Sequence, residues 1–351
     1  MGLIILIGLL FACTVAAGPV GDKMLEPNAS ISNADYSSTS KFENLYVLDD
    51  NGKPVKLDLH KRYTESEEQT KKDLKNRVLF YLYTRKTKDN PEILHTNDVN
   101  GLKRSHFDRR KETKFVTHGW MNSRKSNACT LVRDAFLKHS DCNVIVVDWS
   151  SIALRPYIWS SNRVLMVAQF VSRMIDFLVS QGMSPSRVTV VGHSLGGHVA
   201  GLSAHYAKHQ LNYVVALDPA LPNFVLAGPG NRVSNHDAKN VEIIHTNAGF
   251  LGYDSSIGHI DFFPNGGNKQ IGCPLDIVGA CSHSRSYEYY AESINTRTGF
   301  LAKKCASYSK FLQNNCNSRE TELMGGVAPK LGVTGDYYLE THPTSPYAKD
   351  L

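Results

Sequence analysis

Beyond its first 17 residues the chain has no apolar run long enough to span a bilayer, which takes ~20 consecutive apolar residues. A body built of membrane-spanning helices is therefore excluded. It also lacks any dense basic run interleaved with aromatics, so it offers no nucleic-acid-binding face. No two cysteines stand two residues apart and no histidine cluster joins them, which argues against a zinc module. Internal repeats and long low-complexity tracts are missing too, which leaves out solenoids and linker-rich assemblies. Charge is nearly balanced, with 39 Lys+Arg against 33 Asp+Glu and a formal net charge of +6. Such a mild excess suits an anionic interface such as phospholipid, and equally a basic surface with no partner.

What remains is an ordinary globular composition, 42% hydrophobic and 21% charged, over 351 residues. That is room for one large α/β domain with a well-buried core. Met1 to Ala17 form an apolar run ending in Val15-Ala16-Ala17, small residues of the kind signal peptidase reads. Cleavage after about Ala17 is expected, an uncleaved anchor being the alternative, and the protein is expected to be secreted. Seven cysteines are present. Setting Cys13 aside with the signal peptide leaves an even six, which in an oxidising compartment suggests three disulfides. Sequence proximity favours Cys129–Cys142, Cys273–Cys281 and Cys305–Cys316 among 15 connectivities. Asn28-Ala29-Ser30 is a candidate glycosylation sequon.

Residues 18–70 are polar with poor apolar periodicity. They read as an extension or propeptide, with a strand near Asn44 to Leu48. Regular patterning starts near Arg77, and one α/β domain is expected over residues 71–345. Buried strands are expected at Val78–Tyr83, Lys114–Thr117, Asn143–Val147, Val188–Val191, Tyr213–Leu217 and Val241–Ile244. A helix is expected at Arg163–Ser180, because Val164, Leu165, Ala168, Val171, Ile175 and Leu178 share one face. Short buried strands alternating with helices mean a mostly parallel sheet with helices on both faces, whose ligands sit at the carboxyl ends of the strands.

Gly192-His193-Ser194-Leu195-Gly196 follows a strand and opens a helix, the setting of a nucleophile elbow, which lifts a serine hydroxyl out of the sheet. A serine needs a base, and the base an orienting acid, in the chain order Ser, acid, His. Asp218 ends the next strand ahead of Pro219. Asp148 also ends a strand but precedes Ser194, while Asp254 and Asp261 follow no clear strand. Five histidines lie downstream of Asp218: His236, His245, His259, His283 and His342. His283 leads, since a disulfide at Cys281 would pin its loop, whereas His245 and His259 suit structural roles; the pattern alone leaves the choice open. The backbone N–H groups of Leu195 and Trp120 are the candidate oxyanion donors.

Phe115-Val116-Thr117-His118-Gly119-Trp120, Val190 to His198, Leu217-Asp218-Pro219-Ala220 and Cys281 to Ser286 together resemble the animal pancreatic-lipase family. The resemblance runs from about Leu74 to Thr341. It implies the α/β-hydrolase fold, a Ser194–Asp218–His283 triad, and Trp120 and Leu195 as oxyanion donors. The pancreatic lipases add a C-terminal β-sandwich that binds colipase, and neither that domain nor colipase is expected here. Their lid is a long loop between two cysteines, whereas Cys273 and Cys281 enclose only Pro274 to Ala280. In the family a very short lid goes with phospholipase A1 activity, as in wasp-venom relatives, and with some insect digestive lipases. Arg232 and Asp237 match the family's calcium-site pattern, but Ser234 stands where an acidic ligand is expected, so no metal is assigned.

The expected activity is hydrolysis of a lipid carboxylic ester without a cofactor, at a membrane or lipid-droplet interface, with the sn-1 ester of phospholipid as the substrate. A triacylglycerol or galactolipid lipase of the same mechanism is the first alternative. A non-catalytic lipid-binding protein, like the insect yolk proteins of this fold, is the second; those have lost the serine. The elbow alone would also allow a peptidase.

Overall fold

The computed structural model describes Phe42, residues 44–273, Asp276 and residues 279–349. The expected signal peptide, the sequon at Asn28 and much of the short loop after Cys273 lie outside the described residues. Two short strands, β1 (Tyr46–Leu48) and β2 (Pro54–Lys56), pair as an antiparallel hairpin. The large sheet is made of β3 (Leu79–Tyr83), β4 (Glu92–Leu94), β5 (Thr113–Thr117), β6 (Asn143–Asp148), β7 (Val188–His193), β8 (Tyr213–Leu217), β9 (Asn240–Ile244), β10 (Ile260–Pro264), β11 (Leu301–Lys304), β12 (Thr321–Leu323) and β13 (Gly335–Leu339). Its order is β12-β11-β13-β10-β9-β8-β7-β5-β6-β3-β4. From β6 through β13 the neighbours run parallel, and an antiparallel pair closes each edge.

Each central strand is buried along its whole length because it packs on both faces. Alternation divides its side chains between two cores. Phe115, Ile145, Val147, Val190, Val214 and Ala216 face one core, with the helices Val164–Ser180 and Leu195–His205. Val116, Val144, Val146, Val191, Val215 and Leu217 face the other, with the helices Asn127–His139 and Ala280–Ser293. This is the α/β-hydrolase architecture: a mostly parallel sheet covered on both sides.

Two expectations are corrected. Of the extension expected over residues 18–70, the described part, Phe42 and residues 44–70, does not lie outside the domain. Phe42, Leu45, Val47 and Leu57 are buried in the first core, and the helix Glu67–Lys72 is anchored where the Arg163 guanidinium donates to Thr70 Oγ1 at 3.0 Å. The strand expected near Asn44 to Leu48 is β1, but the short apolar run Leu45-Tyr46-Val47-Leu48 and the isolated Phe42 and Leu57 do not reveal that the segment belongs to the core. Second, Cys129 and Cys142 are free, buried thiols. Cys142 Sγ lies 3.8 Å from Phe136 O, and Phe136 stands seven helical residues beyond Cys129, a rise of ~10 Å, whereas a disulfide needs Cα atoms within ~7 Å. Closeness in sequence misleads across a helix. Cys273–Cys281 and Cys305–Cys316 do form, with Cα separations of 5.8 and 4.9 Å.

Candidate active site

Ser194 sits directly after β7 and ahead of the helix Leu195–His205, with φ 59° and ψ −125°. A non-glycine residue rarely takes positive φ, so the surroundings must hold it there. They do so by hydrogen bonds. Ser194 N–H donates to Leu217 O at 3.0 Å, and Ser194 O accepts from Gly197 N–H at 2.9 Å and Ala220 N–H at 3.2 Å. The two elbow glycines are required by close approach: a Cβ on Gly192 would lie 1.9 Å from Gly196 O, and one on Gly196 would lie 2.4 Å from His118 O.

Asp218 leaves the adjacent strand in the same way, with φ 46° and no solvent exposure. Its Oδ1 accepts from the N–H groups of Thr246 and Asn247, just past β9, at 2.8 and 2.9 Å. Its Oδ2 lies 2.6 Å from His283 Nδ1. The carboxylate therefore has a donor on each oxygen and no freedom to turn.

His283 is not on a loop, as the sequence suggested. It is the fourth residue of the helix Ala280–Ser293, its N–H donating to Gly279 O at 2.8 Å. Asp276 fixes this helix start by accepting from the N–H groups of Cys281 and Ser282 at 2.9 and 3.1 Å. The Cys273–Cys281 disulfide ties the same turn. His283 Nε2 is buried, makes no hydrogen bond among the described residues, and shares a cleft with Ser194 and Trp120. Nδ1 is thus occupied by the carboxylate while Nε2 is left for chemistry.

Trp120 packs its ring inward, Nε1 donating to Arg155 O at 2.7 Å and the ring lying edge-on to Tyr157 at 5.4 Å. Its loop presses against the elbow, since a Cβ on Gly119 would meet Ser194 Cβ at 2.7 Å. Leu195 N–H is the first of the N–H groups a helix leaves without an intrahelical partner. The five expected residues thus converge at the carboxyl ends of β5, β7 and β8.

The other candidates are placed elsewhere. His245 is fully buried and bridges Tyr253 O and Asp261 Oδ1, both at 2.9 Å. His259 Nδ1 accepts from Val241 N–H at 3.0 Å. Asp148 lies beside His118 and accepts from Ser150 N–H at 2.9 Å. Asp237 is occupied by the N–H and hydroxyl of Ser234 at 2.8 and 3.0 Å and by His205 at 3.1 Å. Among the described residues no group of three or more His, Cys, Asp and Glu could hold a metal ion.

Sequence reasoning missed two contributors. His193 packs its ring 4.4 Å from that of His283, and its Nε2 lies 3.2 Å from His283 O. Burial, with the neighbouring His283, holds His193 well below the ordinary histidine range, so it stays neutral and Nε2–H donates. The β1–β2 hairpin also reaches the cleft, through Val47, Leu48, Asp49 and Gly52. Asn51-Gly52 between alternating apolar residues is the hairpin signal that would have found it.

The profile of the family described as Lipase matches residues 42–347. The chain belongs to the pancreatic-lipase family. Pancreatic triacylglycerol lipase of Myocastor coypus is 34% identical over 283 residues, 74% of this chain and 61% of that protein. The human enzyme of the same name is 34% identical over 312 residues, 79% of this chain and 66% of its own length. Inactive pancreatic lipase-related protein 1 of Canis lupus familiaris is 35% identical over 301 residues, 77% of this chain and 64% of that protein. This lipase-family chain spans under two thirds of the length of these relatives. One relative is named inactive, so membership alone does not carry activity; the site must.

Proposed function

We propose that this lipase-family protein is a secreted serine esterase that cuts a carboxylic ester in a lipid through an acyl-enzyme on Ser194. The observation that carries this reading is the 2.6 Å contact of His283 Nδ1 with an Asp218 carboxylate whose other oxygen is held by two backbone donors. It fixes the imidazole with the proton on Nδ1, so that Nε2 takes the Ser194 proton and later gives it to the leaving alcohol. Asp218 stabilises the imidazolium that forms between these steps. Leu195 and Trp120 N–H groups receive the oxyanion. Secretion is supported by two disulfides and by the lack, among the described residues, of any helix long and apolar enough to cross a membrane.

A lipid substrate is supported by the rim of the site. Leu154, in the segment after β6, is 50% exposed, and Val225 and Leu226, after β8, are 53% and 77% exposed. These strands end where Ser194 sits, so apolar side chains stand in water on the side substrate must enter. The sn-1 ester of phospholipid is the preferred substrate in this reading, because a seven-residue disulfide loop leaves room for a head group. The triacylglycerol-lipase reading is favoured by the names of the relatives. Purified protein and Ser194→Ala are to be incubated with defined phospholipids and triacylglycerols, and the released chain and its position identified. Ser194→Ala is expected to stay folded and lose at least a thousandfold in kcat, the residual rate being that of oxyanion hole and binding. Near-wild-type turnover in that variant would end the esterase reading; preferential triacylglycerol hydrolysis would overturn the phospholipid preference.

A further inference from the structure

The cleft at Ser194 and His283 has a cavity of only about 30 Å³. Pockets that bury even a drug-sized ligand run to ~300–1,000 Å³. Some wall must therefore move before an ester with a long acyl chain can reach Ser194. Most walls are held firmly. The elbow and the Asp218 turn are fixed by hydrogen bonds to neighbouring strands, and the His283 helix by its cap and disulfide. The 155–161 segment is tied by Trp159 Nε1 to Glu65 O at 2.7 Å and Tyr157 OH to Pro222 O at 2.8 Å.

The β1–β2 hairpin differs. Val47, Leu48, Asp49 and Gly52 line the cavity, yet the hairpin is a two-stranded sheet outside the large one. Two strands alone are only marginally stable. Its base is held by buried Leu45, Val47 and Leu57, while Asn51, Gly52 and Lys53 at its tip are exposed. Asp49 Oδ1 shapes the tip, accepting from the N–H groups of Asn51 and Lys53 at 2.9 Å each. Asp50 clasps the body: its Oδ1 accepts from Ser123 N–H at 3.0 Å and Asn122 Nδ2 at 3.3 Å, and its Oδ2 from the Ser123 hydroxyl. Asn122 also donates to Leu48 O at 3.0 Å. The clasp thus joins the hairpin to the loop that carries Trp120.

We propose that the β1–β2 hairpin is the specificity gate of the ester site, with Asp50 as its latch on Asn122 and Ser123. Closed, the tip crowds the cleft at Ser194 and hinders a long acyl chain more than a short ester, which needs a smaller displacement; swung aside, it exposes a groove for the long chain. Because binding of a long chain requires the open form, its apparent affinity falls with the fraction of molecules that are open. The latch sets that fraction. The proposal rests on the esterase reading above.

The test uses Asp50→Ala and Ser123→Ala in the full chain, with kcat/KM measured on a short-chain soluble ester and on a long-chain phospholipid. Weakening the latch is expected to raise the long-to-short ratio of kcat/KM roughly tenfold in Asp50→Ala, the factor that ~1.4 kcal/mol of latch energy represents, and by less in Ser123→Ala. Amide exchange at residues 46–56 is expected to quicken while exchange in the large sheet is unchanged. A merely structural role would lower both rates together. An unchanged or decreased ratio in either folded variant, or exchange that quickens throughout the sheet, overturns the gate. Its failure is separable from that of the esterase reading: the latter fails if Ser194→Ala keeps its activity, whatever Asp50 does.

Discussion

Replacing Asp218 by asparagine exchanges one carboxylate oxygen for an NH2 at a fully buried site whose two sides differ in what they demand. One side faces two N–H donors, from Thr246 and Asn247, at 2.8 and 2.9 Å. The amide oxygen must take that side, because an NH2 there would leave buried donors unpaired, at ~1–3 kcal/mol each. The NH2 is then directed at His283 Nδ1, which becomes an acceptor. The imidazole proton moves to Nε2, and Nε2 can no longer receive the proton of Ser194. The lost counter-charge removes support for the imidazolium as well. The expected fall in kcat is ~10⁴-fold, the scale of the same change in other triads, equivalent to ~5–6 kcal/mol in the barrier. Stability should hardly change, since both backbone donors keep their acceptor. Asp218→Ala offers the contrast: it orphans those donors and is expected to cost ~2–6 kcal/mol of stability along with activity. The assay is kcat on a soluble ester, beside thermal unfolding of each variant. A kcat within tenfold of wild type in folded Asp218→Asn would refute the assignment of His283 as base and Asp218 as its orienter.

Thiol titration should find no accessible thiol in the folded, described body and two, from Cys129 and Cys142, on unfolding without reductant; burial pushes the Cys129 thiol up to about 12, and a Cys129–Cys142 peptide would contradict the helix geometry. Acid should destabilise the fold, because burial holds His198 down at about 3 and holds His193 low as well. Both stay neutral when folded but take protons when unfolded, so stability is complete above pH ~6.5 and is lost as pH falls from there, by about 5 kcal/mol down to pH ~3 for His198 alone; denaturant midpoints between pH 8 and 4 measure this, and a flat profile would contradict it. With only seven residues between Cys273 and Cys281, hydrolysis of a short-chain ester should show simple saturation across its solubility limit; a steep rise in rate there would mean a large covering element opens at the interface.

The central sheet was legible because its strands are short β-branched runs buried on both faces, and the observed ends fall within two residues of those expected. The elbow and Asp218 were legible because strand-end chemistry has a fixed chain order. What escaped has a common physical cause: local sequence that argues against the structure it adopts. β10 carries a charged Asp261 and ends in Pro264, yet it is buried throughout, because Asp261 is matched by His245 and by the N–H groups of Ile257 and Gly258. The helix bearing His283 is rich in Ser and Tyr, weak helix formers. It forms because Asp276 caps it and because Tyr287, Tyr289 and Tyr290 bury against the second core. The first strand of the hairpin was legible in Leu45 to Leu48, but its partner Pro54–Lys56, a short polar stretch around one Val, was not.

Those differences bear on how the site divides its tasks. In the register of the sheet, His193 lies opposite Leu217 and Leu217 opposite Ile244. The next residues along these strands are Ser194, Asp218 and His245, with Thr246 directly after. Three adjacent strand ends therefore deliver the proposed nucleophile, the proposed acid and the cradle of that acid side by side, and β5 adds the Trp120 loop beyond β7. Positive φ at Ser194 and Asp218 costs ~1–3 kcal/mol apiece, and it persists because each backbone is hydrogen-bonded to the next strand, Ser194 N–H to Leu217 O and Asp218 N–H to Ile244 O at 2.8 Å. The proposed chemistry thus sits at the ends of the central strands, where small displacements are resisted by the hydrogen bonds of the sheet. Under the proposed gate, access is set by the β1–β2 hairpin, which lies outside the large sheet and can move without disturbing its register. A substitution at a strand end should therefore decide whether any ester is cut, while one in the hairpin should decide which.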